Sequence, residues 1–151
     1  MKIQIKLIQL FLLLSIVLNA QDYKLYEKGT FVYESDTLNY RLLKPKNYNS
    51  SKQYPVHLFL HGAGERGIDN SSQLTHGGAL FLKTEVRDNY PSWVIFPQCS
   101  ENDRWQSFFS DSWNETMVKI SSNPNKSLNL VIKLMDEFIE KKQVDKTRVY
   151  V

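Results

Sequence analysis

With 151 residues, of which 42% are hydrophobic, 13% aromatic and 23% charged, the chain has the make-up of one soluble globular domain large enough to bury a core, which excludes intrinsic disorder. Its formal charge is +3, and it falls to +1 if residues 1–20 are removed, because that segment holds two of the 19 basic residues and none of the 16 acidic ones. Without a basic patch there is nothing to track phosphates, so no nucleic-acid partner is implied, and the lone Cys99 excludes a disulfide within the chain.

The chain opens as a secretory signal. Lys2 and Lys6 flank the start of "LIQLFLLLSIVL", and Asn19-Ala20 precedes the polar "QDYK". An apolar run of about 12 residues is short of the roughly 20 that span a bilayer. Cleavage is expected after Ala20, although Leu18 is larger than the small residue usual at that position; an uncleaved N-terminal anchor is the alternative. The expectation is a secreted or periplasmic domain over residues 21–151, with no stable membrane span after cleavage.

Residues 30–44, "TFVYESDTLNYRLLK", read as two short strands around a polar turn at Glu34 to Asp36, since Phe31, Tyr33, Leu38, Tyr40 and Leu42 alternate with polar neighbours. This predicts an antiparallel edge hairpin. "KNYNSSKQ" (Lys46 to Gln53) marks a surface turn. "PVHLFL" is apolar on both faces, which suits a central strand covered on two sides, as in parallel sheets. A long glycine-containing loop and a short helix around Leu74 to Thr84 follow. "SWVIFPQ" (Ser92 to Gln98) is a second buried strand. Cys99 to Glu115 has no period and reads as an irregular surface segment that forms one wall of a site.

The clearest helix is "SLNLVIKLMDEFIEKKQ". Leu128, Val131, Ile132, Met135, Phe138 and Ile139 recur at three and four residues, Ser127 or Asn125 can cap its start, and Lys141 and Lys142 suit its negative end. "TRVYV" (Thr147 to Val151) begins a further buried strand. Strand, helix, strand, helix, strand from Pro55 predicts an α/β fold with a mainly parallel sheet behind an N-terminal antiparallel hairpin. No internal repeat or low-complexity segment is visible.

The loop that starts at His61 leaves the carboxyl end of a parallel strand, where open α/β sheets bind ligands. Gly62 and Gly64 remove side chains that would keep a ligand from the main chain, and permit backbone angles that other residues avoid, leaving N–H groups near Ala63 and Gly64 free to point outward. Two donors aimed at one point would stabilise an oxyanion during acyl transfer. A plain tight turn is the competing reading. A phosphate loop is weaker: Gly62, Gly64 and Gly67 form G-x-G-x-x-G, but Gly67 and Asn70 argue against the helix that motif requires.

"FLHGAGERG", "QLTHGGALFL", "PSWVIFPQC" and "RW" together resemble the secreted branch of the α/β-hydrolase superfamily that groups phospholipase/carboxylesterase-, dienelactone hydrolase-, feruloyl esterase- and polyhydroxybutyrate depolymerase-like esterases. The resemblance covers about Tyr40 to Val151. It implies that His61-Gly62-Ala63-Gly64 is the oxyanion loop after the third strand, with the Ala63 N–H as donor and a second donor on the residue after the nucleophile. It also implies that "RVYV" runs into G-x-S-x-G. No serine of this chain has glycines two positions to either side, and no glycine follows Gly78. Since the family order is Ser, Asp or Glu, then His, the resemblance places the whole triad beyond Val151, so the chain is expected to be the N-terminal part of a serine esterase, truncated before the nucleophile elbow and inactive alone. The implied substrate is a small-molecule or polysaccharide-linked carboxylic ester, and no cofactor is expected.

Among the remaining candidates, His57 in its apolar strand reads as a packed, hydrogen-bonded residue, and His61 as a brace for the loop. His76 is the most exposed of the three histidines. Without two histidines at i, i+4 and with a single cysteine, a zinc site has no support. Glu65 and Arg66 are either a solvated pair or fixtures of the loop's conformation. Trp105 either covers core or lines the cleft, and Trp93 and Trp113 favour core. Two other functions compete: a prolyl oligopeptidase-like peptidase, and a noncatalytic carbohydrate- or surface-binding protein. The second is disfavoured because a half sheet would leave Thr147 to Val151 as an exposed apolar edge.

Overall fold

The apolar alternation of the first two strands closes a hairpin. A computed structural model describes residues 23–105 and 125–151; residues 1–20, where the signal segment is expected, and, within the irregular stretch, residues 106–115 with Trp113 lie outside the described residues. Strand β1 (Tyr26–Tyr33) pairs antiparallel with β2 (Asp36–Leu43), from Tyr26 opposite Leu43 to Tyr33 opposite Asp36. Glu34 takes a φ of 55°, as tight hairpin turns demand. The hairpin starts four residues before Thr30 because Tyr26 is buried, where it donates a hydrogen bond to the Gly78 carbonyl at 2.9 Å. The expected turn between Lys46 and Gln53 is present, with the Asn49 side chain accepting from the Ser51 N–H at 2.9 Å.

β3 (Tyr54–Leu58), β4 (Trp93–Pro97) and β5 (Val144–Tyr150) complete a five-stranded sheet of order β1-β2-β4-β3-β5. β4 meets β2 antiparallel, and β3 runs parallel to both β4 and β5. The predicted α/β sheet, parallel in its later strands behind an antiparallel hairpin, is thus present.

Successive residues of β4 serve two separate cores, as the pleat dictates. Trp93 and Ile95 join Leu38, Leu42, Tyr54, Val56 and Leu58 beneath helix α3 (Lys126–Lys141), whereas Val94 and Phe96 join Tyr26, Leu43 and Leu74 on the other side. All five residues of β4 are buried. It is this strand that is covered on both faces. β3, expected to be so, buries Tyr54, Val56 and Leu58, while Pro55 and His57 are only half-buried.

Three further expectations are corrected. The helix at Leu74 to Thr84 is broken into a 3-10 turn at Ser72–Leu74, α1 (Gly78–Leu82) and α2 (Thr84–Asn89). Gly77, at φ 87°, turns the chain into α1 and lets the Phe59 ring approach to 2.7 Å of where a Cβ would lie. The buried face of α3 is Leu130, Val131, Leu134, Met135 and Phe138; Ile132 is 42% exposed. The apolar arc of this helix is wider than the face the sheet covers, so more than one stripe satisfies the helical period and the sheet selects one. Of the two candidate caps, Asn125 accepts from the Leu128 N–H at 3.2 Å.

β5 starts at Val144, three residues before Thr147, and only Val144 is buried; residues 146–150 are exposed. Between Tyr54 and Val56 its register against β3 shifts. Asp145 causes the irregularity locally, its carboxylate accepting from the Thr147 N–H and hydroxyl and from the Arg148 Nε. Among the described residues no helix is long and apolar enough to cross a membrane.

Candidate active site

β3 and β4 are parallel, so their carboxyl ends open on the same edge of the sheet, and the loops leaving them meet there. From β3 comes the glycine loop. His61 is buried, Gly62, Ala63 and Gly64 are exposed, and Ala63–Glu65 form a 3-10 turn. As at any helix start, the first N–H groups of that turn, those of Ala63 and Gly64, have no partner within it.

His61 fixes the direction of one of these donors. Its Nε2 accepts from the Cys99 N–H at 3.0 Å, so the ring proton sits on Nδ1, which donates to the Gly62 carbonyl at 2.6 Å. The Gly62–Ala63 peptide is trans and planar, so a carbonyl drawn in toward the ring turns the Ala63 N–H outward. Burial pulls the His61 pKa below its ordinary 6.5, against the opposing pull of the Gly62 carbonyl and of Glu65. The neutral ring is therefore favoured, and only the neutral ring makes both bonds.

Arg66 and Trp105 hold the same turn from outside. Arg66 Nε donates to the Ala63 carbonyl at 2.9 Å and its Nη1 to the Asp103 carbonyl at 3.1 Å. Trp105 Nε1 donates to the His61 carbonyl at 2.9 Å, with its ring edge-on to the imidazole. Glu65 is paired with His76, 3.4 Å from Oε1 to Nε2, rather than with its neighbour Arg66. The structure thus gathers every residue singled out for this loop, and the described part of the segment after β4, Cys99 to Trp105, forms its wall.

The glycines act differently from expectation. Gly62 is extended, at φ −77°, and positive φ among the glycines falls on Gly67 and Gly77 instead. What Gly64 supplies is space, because a Cβ there would meet nothing within 4 Å. Exposed main chain, not an unusual backbone angle, is the contribution of these two residues.

Four polar residues that the sequence did not single out complete the frame. Gln98, buried at the end of β4, accepts from the Asn70 N–H at 2.7 Å and donates to the Glu65 carbonyl at 3.2 Å and to Asp69 Oδ1 at 2.7 Å. Asp69 also accepts from the Ser71 and Ser72 N–H groups, and bonds to Ser72 above all hold its carboxyl well below the usual range. Asn70, at φ 51°, donates to the Gly29 carbonyl at 3.2 Å. Asp103 accepts from the Ser127 N–H at 2.8 Å in the first turn of α3; burial raises its carboxyl, but the bonds to Ser127 and Arg104 outweigh this and leave it lowered. The signal for Asp69 was legible in "DNSS", an Asx-turn pattern. Gln98 could have been suspected as the polar residue ending an otherwise apolar strand.

His57 lies outside this assembly. It stacks on Tyr150 at 5.0 Å between centroids and tilts against Phe81, and burial lowers its pKa. With Tyr54, Arg87, Tyr90 and Arg148 it lines a cavity of about 680 Å³ beside β3 that the glycine loop does not touch. Among the described residues no cluster of three His, Cys, Asp or Glu side chains could hold a metal ion.

No protein-family model matches the chain, and curated proteins give no match. Solved structures do. A thermostable esterase superposes with a TM-score of 0.71 at 33% identity, over 84% of this chain and 33% of its own. A CE1 ferulic acid esterase from the anaerobic fungus Anaeromyces mucronatus superposes with a TM-score of 0.50 at 16% identity, over 82% of this chain and 47% of its own. The chain thus spans about a third of the length of the thermostable esterase it is similar to.

Proposed function

From the α/β-hydrolase, esterase-like fold of this chain we infer that it is the oxyanion-binding part of an exported serine esterase. The nucleophile, acid and histidine base belong to the remainder of that protein, and residues 1–20 direct its export. The observation that carries this reading is the outward Ala63 N–H at the carboxyl end of β3. β5 runs parallel beside β3, with Tyr150 opposite His57, so a nucleophile elbow continuing from β5 would leave the sheet next to this loop.

In the reaction the serine oxygen attacks the ester carbonyl carbon, and the carbonyl oxygen takes up the displaced electron pair. The histidine takes the serine hydroxyl proton during the attack, and the Ala63 N–H and the N–H of the residue after the serine hold the oxyanion. The alcohol departs with the proton from the histidine, and water then hydrolyses the acyl-serine to release the acid and restore the serine. His61 takes no part in proton transfer. Its two bonds keep the Ala63 donor aimed before substrate arrives, so no reorganisation is needed at the moment of reaction. The substrate is a small-molecule or polysaccharide-linked carboxylic ester, a class supported by the likeness to the thermostable esterase.

Ala63→Pro tests the assignment. Ala63 is the first residue of its turn, where proline fits, and Gly62 is already extended, as a residue before proline must be. The substitution deletes the N–H with the turn kept. In the intact esterase kcat is expected to fall by about 100-fold with KM less changed, while Ala63→Ser, which keeps the donor, is milder. A folded proline variant with unchanged kcat overturns the role of Ala63.

A further inference from the structure

We propose that Gln98 is a positioning residue for the oxyanion donor, a role that rests on the function proposed above. Its amide is buried, 3% exposed, and spends one acceptor and two donors on three separate points of the glycine loop: the Asn70 N–H, the Glu65 carbonyl and the Asp69 carboxylate. The match is chemically selective. A carboxylate of the same shape would keep the bond from Asn70 but set oxygen against oxygen at both Glu65 and Asp69.

The link to Ala63 runs through one peptide. Glu65, held by the Gln98 amide, ends the 3-10 turn that begins at Ala63, and the next residue, Arg66, grips the Ala63 carbonyl. Gln98 is itself anchored as part of the sheet, its N–H donating to the Asn39 carbonyl at 2.8 Å. Its neighbour Cys99 supplies the N–H that sets the His61 tautomer. Two consecutive residues at the end of the most deeply buried strand therefore hold the two ends of the loop, Cys99 through His61 and Gln98 through residues 65–70.

The test compares Gln98→Glu, which swaps one NH2 for oxygen, with Gln98→Met, which removes all three bonds. Two quantities are read in each, both in the intact esterase: the amide resonances of Ala63 and Asn70, assigned by selective labelling, and kcat and KM. In Gln98→Glu at about pH 8, the Ala63 resonance is expected to move and kcat to fall about tenfold with KM little changed, while the Asn70 amide stays protected. Lowering the pH toward about 5 favours protonation of the introduced carboxyl, which burial and Asp69 disfavour in its charged form, and restores a donor. Because His61 also titrates below 6.5, each spectrum is compared with the unsubstituted protein at the same pH, and the Ala63 resonance then returns toward that reference. In Gln98→Met the Asn70 amide exchanges faster and no pH recovery occurs. An Ala63 resonance unmoved in Gln98→Glu, or moved equally at both pH values, overturns the proposal. The resonances judge Gln98 independently of turnover, so a failure of the oxyanion assignment, seen as unchanged kcat in Ala63→Pro, is separable from a failure here.

Discussion

Within these 151 residues β4 and β5 are both parallel neighbours of β3, yet they differ in composition and in how far each is covered. β4 is apolar at every position, is buried on both faces and carries the loop clamps Gln98 and Cys99 at its end. β5 holds Asp145, Lys146, Thr147 and Arg148 in its middle, bends around the Asp145 carboxylate, and leaves Val149 37% and Tyr150 48% exposed. Pairing with the same partner does not make two strands equivalent; coverage of both faces does. The candidate loop takes its clamps, Gln98 and Cys99, from the end of the covered strand.

The widest gap is expected in stability. Ile95→Ala, at a fully buried position under α3, should cost about 3 kcal/mol by urea unfolding, through lost transfer free energy and the cavity left behind. Val149→Ala on β5, measured on these 151 residues alone, should stay within about 0.5 kcal/mol. Equal losses at both positions would mean that β5 is as deeply packed as β4 in solution.

The glycines extend the contrast to the loops. Gly77→Ala puts a Cβ 2.7 Å from the Phe59 ring at a φ of 87°, and should lower stability by about 2 kcal/mol. Gly64→Ala meets nothing within 4 Å and should leave the thermal midpoint nearly unchanged, while its methyl group, at the mouth of the proposed oxyanion site, slows ester turnover. A thermal midpoint lowered as far by Gly64→Ala as by Gly77→Ala would contradict an open Gly64.

Acid should loosen the carboxyl end of β3 and the loop that leaves it gradually. Burial lowers the pKa of His61 and of His57 below 6.5, so the unfolded chain binds protons more readily than the folded one. The stability each contributes is present above about pH 6.5 and is lost as the pH falls toward the folded-state value. Ring titration by NMR should place both below 6.5, and His61 protonation should coincide with faster exchange of the Cys99 amide. A His61 that titrates above 6.5 would contradict the neutral, doubly bonded ring.

Much of the sheet was legible in the sequence because period and burial agree there. The hairpin from Phe31 to Leu42, the apolar run of β4 and the helical period of α3 each follow from side-chain spacing. Where spacing admits several answers, tertiary contact decides. Leu130 and Leu134, not Ile132, face the sheet, and β4, not β3, is the doubly covered strand, although both read as continuous apolar runs. In the site, the strand-to-glycine-loop transition at His61 marked the segment on which the proposed function rests. Glu65 and Arg66 proved to be fixtures of the loop rather than a pair with each other. Gln98 carried only the weak local signal of a polar residue ending an apolar strand, and the roles of Gln98, Asn70 and Asp103 were not legible because these partners lie 24 to 41 positions away.

The most direct measurement is a crystal structure of the intact esterase with its serine phosphonylated, in which the phosphoryl oxygen stands where the ester oxyanion forms. The geometry here predicts that oxygen at about 2.7–3.1 Å from the Ala63 nitrogen, with His61 still bonded to the Gly62 carbonyl and to the Cys99 N–H. A phosphoryl oxygen held by other donors, more than about 4 Å from Ala63, would contradict it.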